Sequence, residues 1–329
     1  MAEWLKAPVL KTGEQQCFVG SNPTLSAILR VIMNDTAIVT CFYTNLHGTN
    51  YGGRQHRYHQ YLHSLASLLK ITNADFYIYC DPLQESDVRE FIEPIAKTKV
   101  IIVPYNLENF YMKDLFDEYK NFEEALTSDR CQEIQYLKSY WMNEIVDYNY
   151  VFWIDVGISY SGLIPDKHLI FADNSTSEYY NSDLFCNELI EGMKKKTEDR
   201  FLMFAINNTY PVFYRRNIID QRLDTINYHA IAGILGGKKT TVQKFHFIFD
   251  NIAKVVIELL KEVHDEECIY HIIWQKNLDF FAIEKFEMWW HEDNLHSIYA
   301  DSLEKIELVK HLKSFYNVLE DLVELGKQK

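Results

Sequence analysis

A run of apolar and aromatic residues in the middle of the chain constrains the fold more than any other stretch. It has the length of a strand and no helical period, and it reads Tyr148-Asn149-Tyr150-Val151-Phe152-Trp153-Ile154-Asp155-Val156-Gly157-Ile158. Such a run is typical of a strand that is buried on both faces in the middle of a parallel sheet. It therefore predicts an α/β fold with this strand near the centre.

Asp155 falls where this strand should end, and Gly157 follows it two residues later. Open α/β sheets bind their ligands at the carboxyl ends of strands, and a glycine lets a backbone or a ligand come close. Asp155 is therefore a candidate ligand-binding carboxylate. The alternative is that it merely begins a turn, and these residues alone do not decide between the two.

The rest of the chain alternates between strand-like and helix-like segments. β-Branched and aromatic residues predict strands at 36–43, 75–82, 99–104 and 201–206, and a buried or pocket-lining strand at 286–290. Helical periodicity predicts helices at 55–71, 83–96, 131–146, 241–263 and 301–325. This alternation predicts a doubly wound, mostly parallel central sheet flanked by helices, with a C-terminal helix.

Composition argues against several other classes of protein. The 329 residues carry a net charge of −14 with acids and bases interspersed, which argues against nucleic acid or an anionic membrane as the main partner. The six cysteines are scattered without a CxxC pair, which favours reduced thiols in a cytoplasmic protein. No run of about 18 apolar residues occurs, so we expect no integral membrane segment.

Residues 1–32 have neither the charged start nor the apolar centre of a signal peptide. Reverse translation of 2–13 resembles the D-arm and anticodon arm of a serine tRNA gene, and 20–23 can be encoded by its T-arm. We expect 1–32 to be a spurious, disordered extension that arises by read-through of a tRNA gene. Met33 would then be the true start, and 33–329 a single domain.

Three further segments carry candidate site residues. The glycine-containing loop 45–54 joins a strand to a helix, an arrangement that often binds phosphate, and its Arg54 can pair with one; the loop lacks the GxGxxG and P-loop patterns. Lys138 lies one turn from the apolar stripe of its helix and can reach the site. In 228–237, small residues let a backbone pack against a flat ligand or simply form a strand and a tight turn. Lys194-Lys195-Lys196 is most simply a solvated charge run.

Two adjacent carboxylates stand beside a histidine in His264-Asp265-Glu266. This arrangement can serve acid/base, nucleophilic or metal chemistry. The alternative is that both acids merely stabilise the start of a helix through its dipole.

Taken together, the segments 38–43, 153–158, 232–237 and 264–266 resemble the HtrL/YibB (WlaTC/HtrL) family of proposed glycosyltransferases, over nearly all of 36–290. More distantly they are similar to retaining glycosyltransferases of the GT-A fold that are related to the histo-blood-group enzymes. In those enzymes a metal-binding Asp-x-Asp ends a strand, a glycine-rich strand lines the donor, and a His-Asp-Glu follows about one helix later.

The resemblance implies a GT-A-like hexosyltransferase-type enzyme that moves a sugar from a nucleotide-sugar donor to a hydroxyl of a glycan or lipid-linked acceptor. The implied setting is surface polysaccharide or glycan synthesis in the cytoplasm or at the inner membrane. Glu266 would be the nucleophile or the carboxylate that stabilises the transition state, and Asp265 would bind the donor sugar. Donor contacts would come from Ile231, Ala232 and Gly233, with Thr40, Thr44, Arg54 and Lys138 as further candidates.

The resemblance also implies Mn²⁺ or Mg²⁺ at Asp155. The second acid of Asp-x-Asp is Gly157 here, so Asp265 or a water would complete the metal shell, or cations such as Lys138 would replace the metal. Two other functions compete with sugar transfer. One is a non-catalytic carbohydrate- or protein-binding module, and the other is a metal-dependent phosphohydrolase or nucleotidyltransferase.

Overall fold

The computed structural model of the protein describes residues 34–43, 58–120, 131–158, 182–208, 229–288 and 317–328. All of these residues belong to one compact unit, Asn34–Lys329. The predicted extension 1–32 lies outside the described residues, so its spurious origin stays a prediction.

A seven-stranded sheet forms the centre of this unit. Its strands are β1 (Thr36–Phe42), β2 (Asp75–Cys80), β3 (Val100–Pro104), β4 (Tyr150–Ile154), β5 (Phe201–Asn208), β6 (His229–Lys238) and β7 (Phe281–Met288). They are arranged in the order β3-β2-β1-β4-β6-β5-β7. Among these seven, β6 runs antiparallel to both of its neighbours, and the other pairings are parallel. The prediction of a mostly parallel sheet is therefore confirmed.

Helices cover both faces of the sheet, as a doubly wound fold requires. The described helices are α1 (Tyr58–Leu68), α2 (Glu85–Ile92), α3 (Lys113–Tyr119), α4 (Gln132–Glu144), α5 (Asn187–Thr197), α6 (Lys239–Leu260), α7 (Glu266–Lys276) and α8 (317–327). One apolar core contains residues of α1, α2, α5 and α8, and a second core contains residues of α3, α4, α6 and α7. No helix within the described ranges is both long and apolar enough to span a membrane.

Strand β4 joins the two cores. Its residues Val151 to Ile154 are fully buried. Phe152 and Ile154 belong to the first core, and Val151 and Trp153 to the second. The strand is therefore buried on both faces, as its uninterrupted apolar sequence predicts, because strand side chains alternate between the faces of a sheet.

Helix α5 is an element that the sequence analysis did not predict. The lysine run lies in its last turn, and the interpretation of that run as solvated fits the exposed Lys195 but not Lys194 and Lys196, which are partly buried and paired. Lys194 Nζ lies 2.8 Å from Asp35 Oδ1, and Lys196 forms an ion pair with Glu284 of β7. The run therefore connects α5 to the sheet, a role that depends on tertiary contacts and leaves no local signal.

The start of β7 and a glycine in β6 add two further details. Strand β7 begins at Phe281, before the predicted 286–290, because Phe281 already pairs with Phe201 of β5. In β6, Gly236 has a φ of +138°, and a Cβ there would lie 2.3 Å from the carbonyl oxygen of Val151. Glycine is needed at that end of β6 so that it can pack against β4.

Candidate functional site

Asp155 directly follows β4, at the edge of the sheet where the parallel strands end. Its backbone N–H donates to the carbonyl oxygen of Gly233 in β6 at 2.9 Å, and its own carbonyl accepts from Ile158 N–H at 3.0 Å. Asp155 thus begins a turn, which contains Gly157. The turn does not exclude a ligand-binding role for Asp155, because 39% of its side chain is still exposed.

The Asp155 carboxylate is fixed through one of its two oxygens. Oδ1 accepts a hydrogen bond from the indole Nε1 of Trp153 at 2.6 Å and lies 3.2 Å from Lys138 Nζ. Across the described ranges, no hydrogen bond to Oδ2 is formed. The carboxylate is therefore held in one orientation by two donors, with its second oxygen available for a ligand.

Lys138 of α4 is the cation at the centre of the site. Its side chain is 8% exposed, and its Nζ lies 3.2 Å from Glu266 Oε1 as well as from Asp155 Oδ1. The same ammonium donates to the carbonyl oxygen of Ala232 at 3.2 Å and lies 5.5 Å from the centre of the Trp153 ring. Burial alone would lower the pKa of Lys138, but Asp155, Glu266 and Glu267 outweigh it and raise the pKa above its usual range. Lys138 is therefore charged.

The second carboxylate of the site comes from the start of α7. Glu266 is the first residue of that helix and is 2% exposed, and Asp265 precedes it as the N-cap residue. Glu267 Oε1 accepts a hydrogen bond from the Ala232 N–H at 3.2 Å. The positive end of the helix dipole stabilises carboxylates at this position. The helix start therefore helps to explain how Glu266 is tolerated in a buried site.

Helix α4 also fixes the segment that leads into α7. Tyr136 donates its hydroxyl hydrogen to the carbonyl oxygen of His264 at 2.9 Å, and Gln132 Nε2 donates to that of Val263 at 3.2 Å. Helix α4 thus supplies both Lys138 and the two side chains that hold the backbone before Glu266. These contacts explain how Lys138 and Glu266, which are more than a hundred positions apart in the sequence, meet in one cluster.

The predicted site residues are only partly brought together. Asp155, Lys138 and Glu266 form one cluster with the backbone of Ala232, and Gly233 lies beside it, where a Cβ would come within 3.9 Å of Asp155 Oδ2. Asp265 is adjacent in sequence to Glu266. Sequence reasoning missed Trp153 and Glu267. The signal for Trp153 was its position two residues before Asp155, which places both side chains on the same face of the strand.

Other candidates lie elsewhere. Thr40 is fully buried among the β1 residues that face the first core, whereas the Lys138 cluster lies on the side of α4 and the second core. The Ile231 side chain also packs against the first core. The structure therefore does not bring these two side chains to the cluster. Thr44 and Arg54 fall outside the described residues.

A divalent cation finds few protein ligands here. Within the described part of the chain, no group of three His, Cys, Asp or Glu side chains is arranged to hold a metal. Asp155 Oδ2 offers one carboxylate oxygen. Because Mg²⁺ is commonly bound by one or two carboxylates together with substrate phosphates, the residues fit a cation that is shared with a diphosphate, and not a separate metal centre.

Comparison with known proteins does not assign a family. No family model matches the chain, and no curated protein matches it. Membership of the HtrL/YibB family therefore stays a prediction. Among solved structures, the chain is similar to mouse xyloside xylosyltransferase 1 in its apo form, with 10% sequence identity and a TM-score of 0.49. The match covers 84% of this chain and 93% of that one.

Proposed function

We propose that the protein is a glycosyltransferase that moves a sugar from a nucleotide-sugar donor to a hydroxyl acceptor. One observation carries the proposal: Asp155, Lys138, Ala232 and Glu266 meet at the carboxyl edge of β4. Three of these residues belong to segments that carry the resemblance to the HtrL/YibB family. Ligands of open α/β sheets bind at such an edge.

The reaction breaks the bond between the anomeric carbon of the donor sugar and the diphosphate oxygen. It forms a bond from that carbon to the acceptor oxygen, and the acceptor proton passes to the departing nucleoside diphosphate. Glu266 is our candidate for the carboxylate that attacks the anomeric carbon or stabilises its positive charge. As a nucleophile it would be displaced by the acceptor, and the configuration would be retained. Asp265 would bind the donor sugar.

Asp155 would face the diphosphate side of the donor. A divalent cation bound jointly by Asp155 Oδ2 and the diphosphate would neutralise the negative charge of the leaving group. Trp153 and Lys138 hold Oδ1, so the carboxylate does not need to reorient when the donor arrives. Such preorganisation lowers the cost of binding the transition state. We expect the acceptor to be a glycan or a lipid-linked hydroxyl, in the cytoplasm or at the inner membrane.

A thermal-shift panel on the full chain tests donor binding. UDP, GDP, CMP and ADP are each added with and without Mn²⁺. A ligand at about 100 times its Kd stabilises a fold by about 2.7 kcal/mol, which a melting curve resolves. We expect one nucleotide to raise Tm, with a larger rise when Mn²⁺ is present. If no nucleotide raises the Tm of the folded protein, a non-catalytic binding module explains the chain better.

Two conservative variants test the assigned roles with the responding nucleotide-sugar. Glu266→Gln and Asp155→Asn should each lower the transfer rate by at least about 10²-fold while Tm shows a folded protein. Asp279→Asn, an exposed acid outside the cluster, is the matched control and should transfer at the wild-type rate. Wild-type turnover in Glu266→Gln removes that residue from its role. Release of free phosphate without sugar transfer identifies a phosphohydrolase instead.

A further inference from the structure

The ammonium of Lys138 is surrounded by oxygen atoms in the way that a bound metal ion would be. A lysine ammonium has three N–H donors. Three oxygens lie 3.2 Å from Lys138 Nζ, namely Asp155 Oδ1, Glu266 Oε1 and the carbonyl oxygen of Ala232. These three atoms are here called the oxygen cage. Each donor therefore has an acceptor, and the Trp153 ring covers the ammonium from a further side.

The oxygen cage has the chemistry of a site for a hard cation. Its members are two carboxylate oxygens and one backbone carbonyl, which are the ligand types that Mg²⁺, Mn²⁺ and Ca²⁺ take in proteins. They come from β6, the end of β4 and the start of α7, so three separate elements converge on the ammonium. Glu266 is 2% exposed, and a carboxylate so deeply buried needs a positive charge beside it.

We infer that Lys138 is a built-in cation that fills this oxygen cage, so that the protein without its donor takes up no divalent cation between Asp155 and Glu266. This inference rests on the proposed function, because it concerns the site of the proposed sugar transfer. Any divalent cation used in the reaction would then arrive with the diphosphate and meet Asp155 at Oδ2. Lys138 is thus a positioning residue that holds Asp155 and Glu266 in place.

The test uses Mn²⁺ alone, without nucleotide or sugar, on the full chain. Free Mn²⁺ is measured by electron paramagnetic resonance during titration of wild type, Asp155→Asn, Lys138→Met and the double variant Lys138→Met/Asp155→Asn. Wild type and Asp155→Asn should bind Mn²⁺ equally weakly. Lys138→Met vacates the oxygen cage and should bind Mn²⁺ at least about tenfold more tightly. The double variant should lose this gain because the cage lacks one of its carboxylates.

Two results would overturn the inference. One is Mn²⁺ binding by wild type that Asp155→Asn abolishes, because the cage would then accept a metal while Lys138 is present. The other is a folded Lys138→Met variant with no gain in Mn²⁺ binding. Circular dichroism checks that each variant is folded, and Lys138→Gln replaces Lys138→Met if the latter unfolds. Because no donor takes part, failure here is distinct from failure of the nucleotide panel.

Discussion

At the scale of single residues, two buried tryptophans offer a matched test of the hydrogen bond that fixes Asp155. Trp153 and Trp141 are both fully buried, and their rings stack with centroids 6.1 Å apart. The Trp153 indole donates to Asp155 Oδ1, whereas the Trp141 Nε1 has no hydrogen-bond partner within the described ranges. The two side chains are the same size, and the indole hydrogen bond distinguishes Trp153, although Lys138 also lies over its ring and Trp141 stacks on Tyr79 instead.

We therefore expect Trp153→Phe to destabilise the protein more than Trp141→Phe does. Both substitutions remove similar ring volume, but Trp153→Phe also removes a hydrogen bond to a charged acceptor. Such a bond contributes about 1.5–3 kcal/mol, and partial exposure of Asp155 puts the expected difference near the lower end of that range. Urea unfolding of both variants measures the difference. Equal free energies of unfolding would show that the indole bond to Asp155 does not stabilise the fold.

The individual site residues could be selected from the sequence more readily than their contacts. Asp155 could be selected because it ends a buried strand, Lys138 because it lies one turn from an apolar helix stripe, and Glu266 because it is one of two adjacent carboxylates beside a histidine. The proximity of Lys138 to the Asp155 site was predicted, but its contact with Glu266 was not, because that contact arises from packing of α4 against the start of α7. Thr40 was selected for its position near the end of β1, but strand alternation turns its side chain to the opposite face.

At the scale of elements, α5 and α8 cross through two glycines. A Cβ on Gly192 would lie 1.7 Å from the carbonyl oxygen of Leu322, and a Cβ on Gly326 would lie 1.9 Å from that of Glu188. These distances are far below any real contact of a Cβ atom, so the helices touch backbone to backbone. Replacing either glycine must push the two helices apart.

We expect Gly192→Ala and Gly326→Ala each to destabilise the protein by about 1–3 kcal/mol, the usual cost of overpacking. A loss of stability is informative here because alanine in a helix normally stabilises a protein relative to glycine by about 1 kcal/mol. Thermal or urea unfolding gives the measurement. Glu320→Ala, at an exposed position of α8, is the control and should change stability little. A more stable Gly326→Ala variant would contradict the close crossing.

The strands could be predicted from the sequence, but helix α5 of this crossing could not. Strands β1 to β5 have apolar runs that are bounded by polar residues, so their positions followed from local pattern. Helix α5 was missed because its lysine run was interpreted as a solvated charge run, whereas α5 contacts α8 and Asp35. Local sequence pattern thus predicted the sheet, whereas α5, which packs in the first core, depends on contacts with residues distant in sequence.

At the scale of the whole molecule, stability in acid should depend on carboxylates that are paired with lysines. Glu133 lies in the first turn of α4, with its Oε1 2.5 Å from Lys120 Nζ, and the two side chains are 17% and 9% exposed. Burial would raise the pKa of Glu133, but the hydrogen bond and charge of Lys120 outweigh it and lower the pKa below its usual value. Asp35, paired with Lys194, has a lowered pKa for the same reason.

A lowered pKa in the folded state fixes the sign of the pH dependence. The stabilisation from Glu133 is fully present above the pKa of an unfolded glutamate, about 4.3, and is lost as the pH falls through the lower folded pKa. Glu133→Gln has no such proton to bind, so we expect it to be less stable than wild type by about 2 kcal/mol at pH 7 and by much less near pH 3. Urea unfolding across this range measures the gap, with exposed Glu118→Gln as the control. Helix α4 also carries Lys138, so loss of the contact between Glu133 and Lys120 in acid would loosen the candidate site together with the fold. A stability difference between wild type and Glu133→Gln that stays constant down to pH 3 would rule out this contact as a source of acid sensitivity.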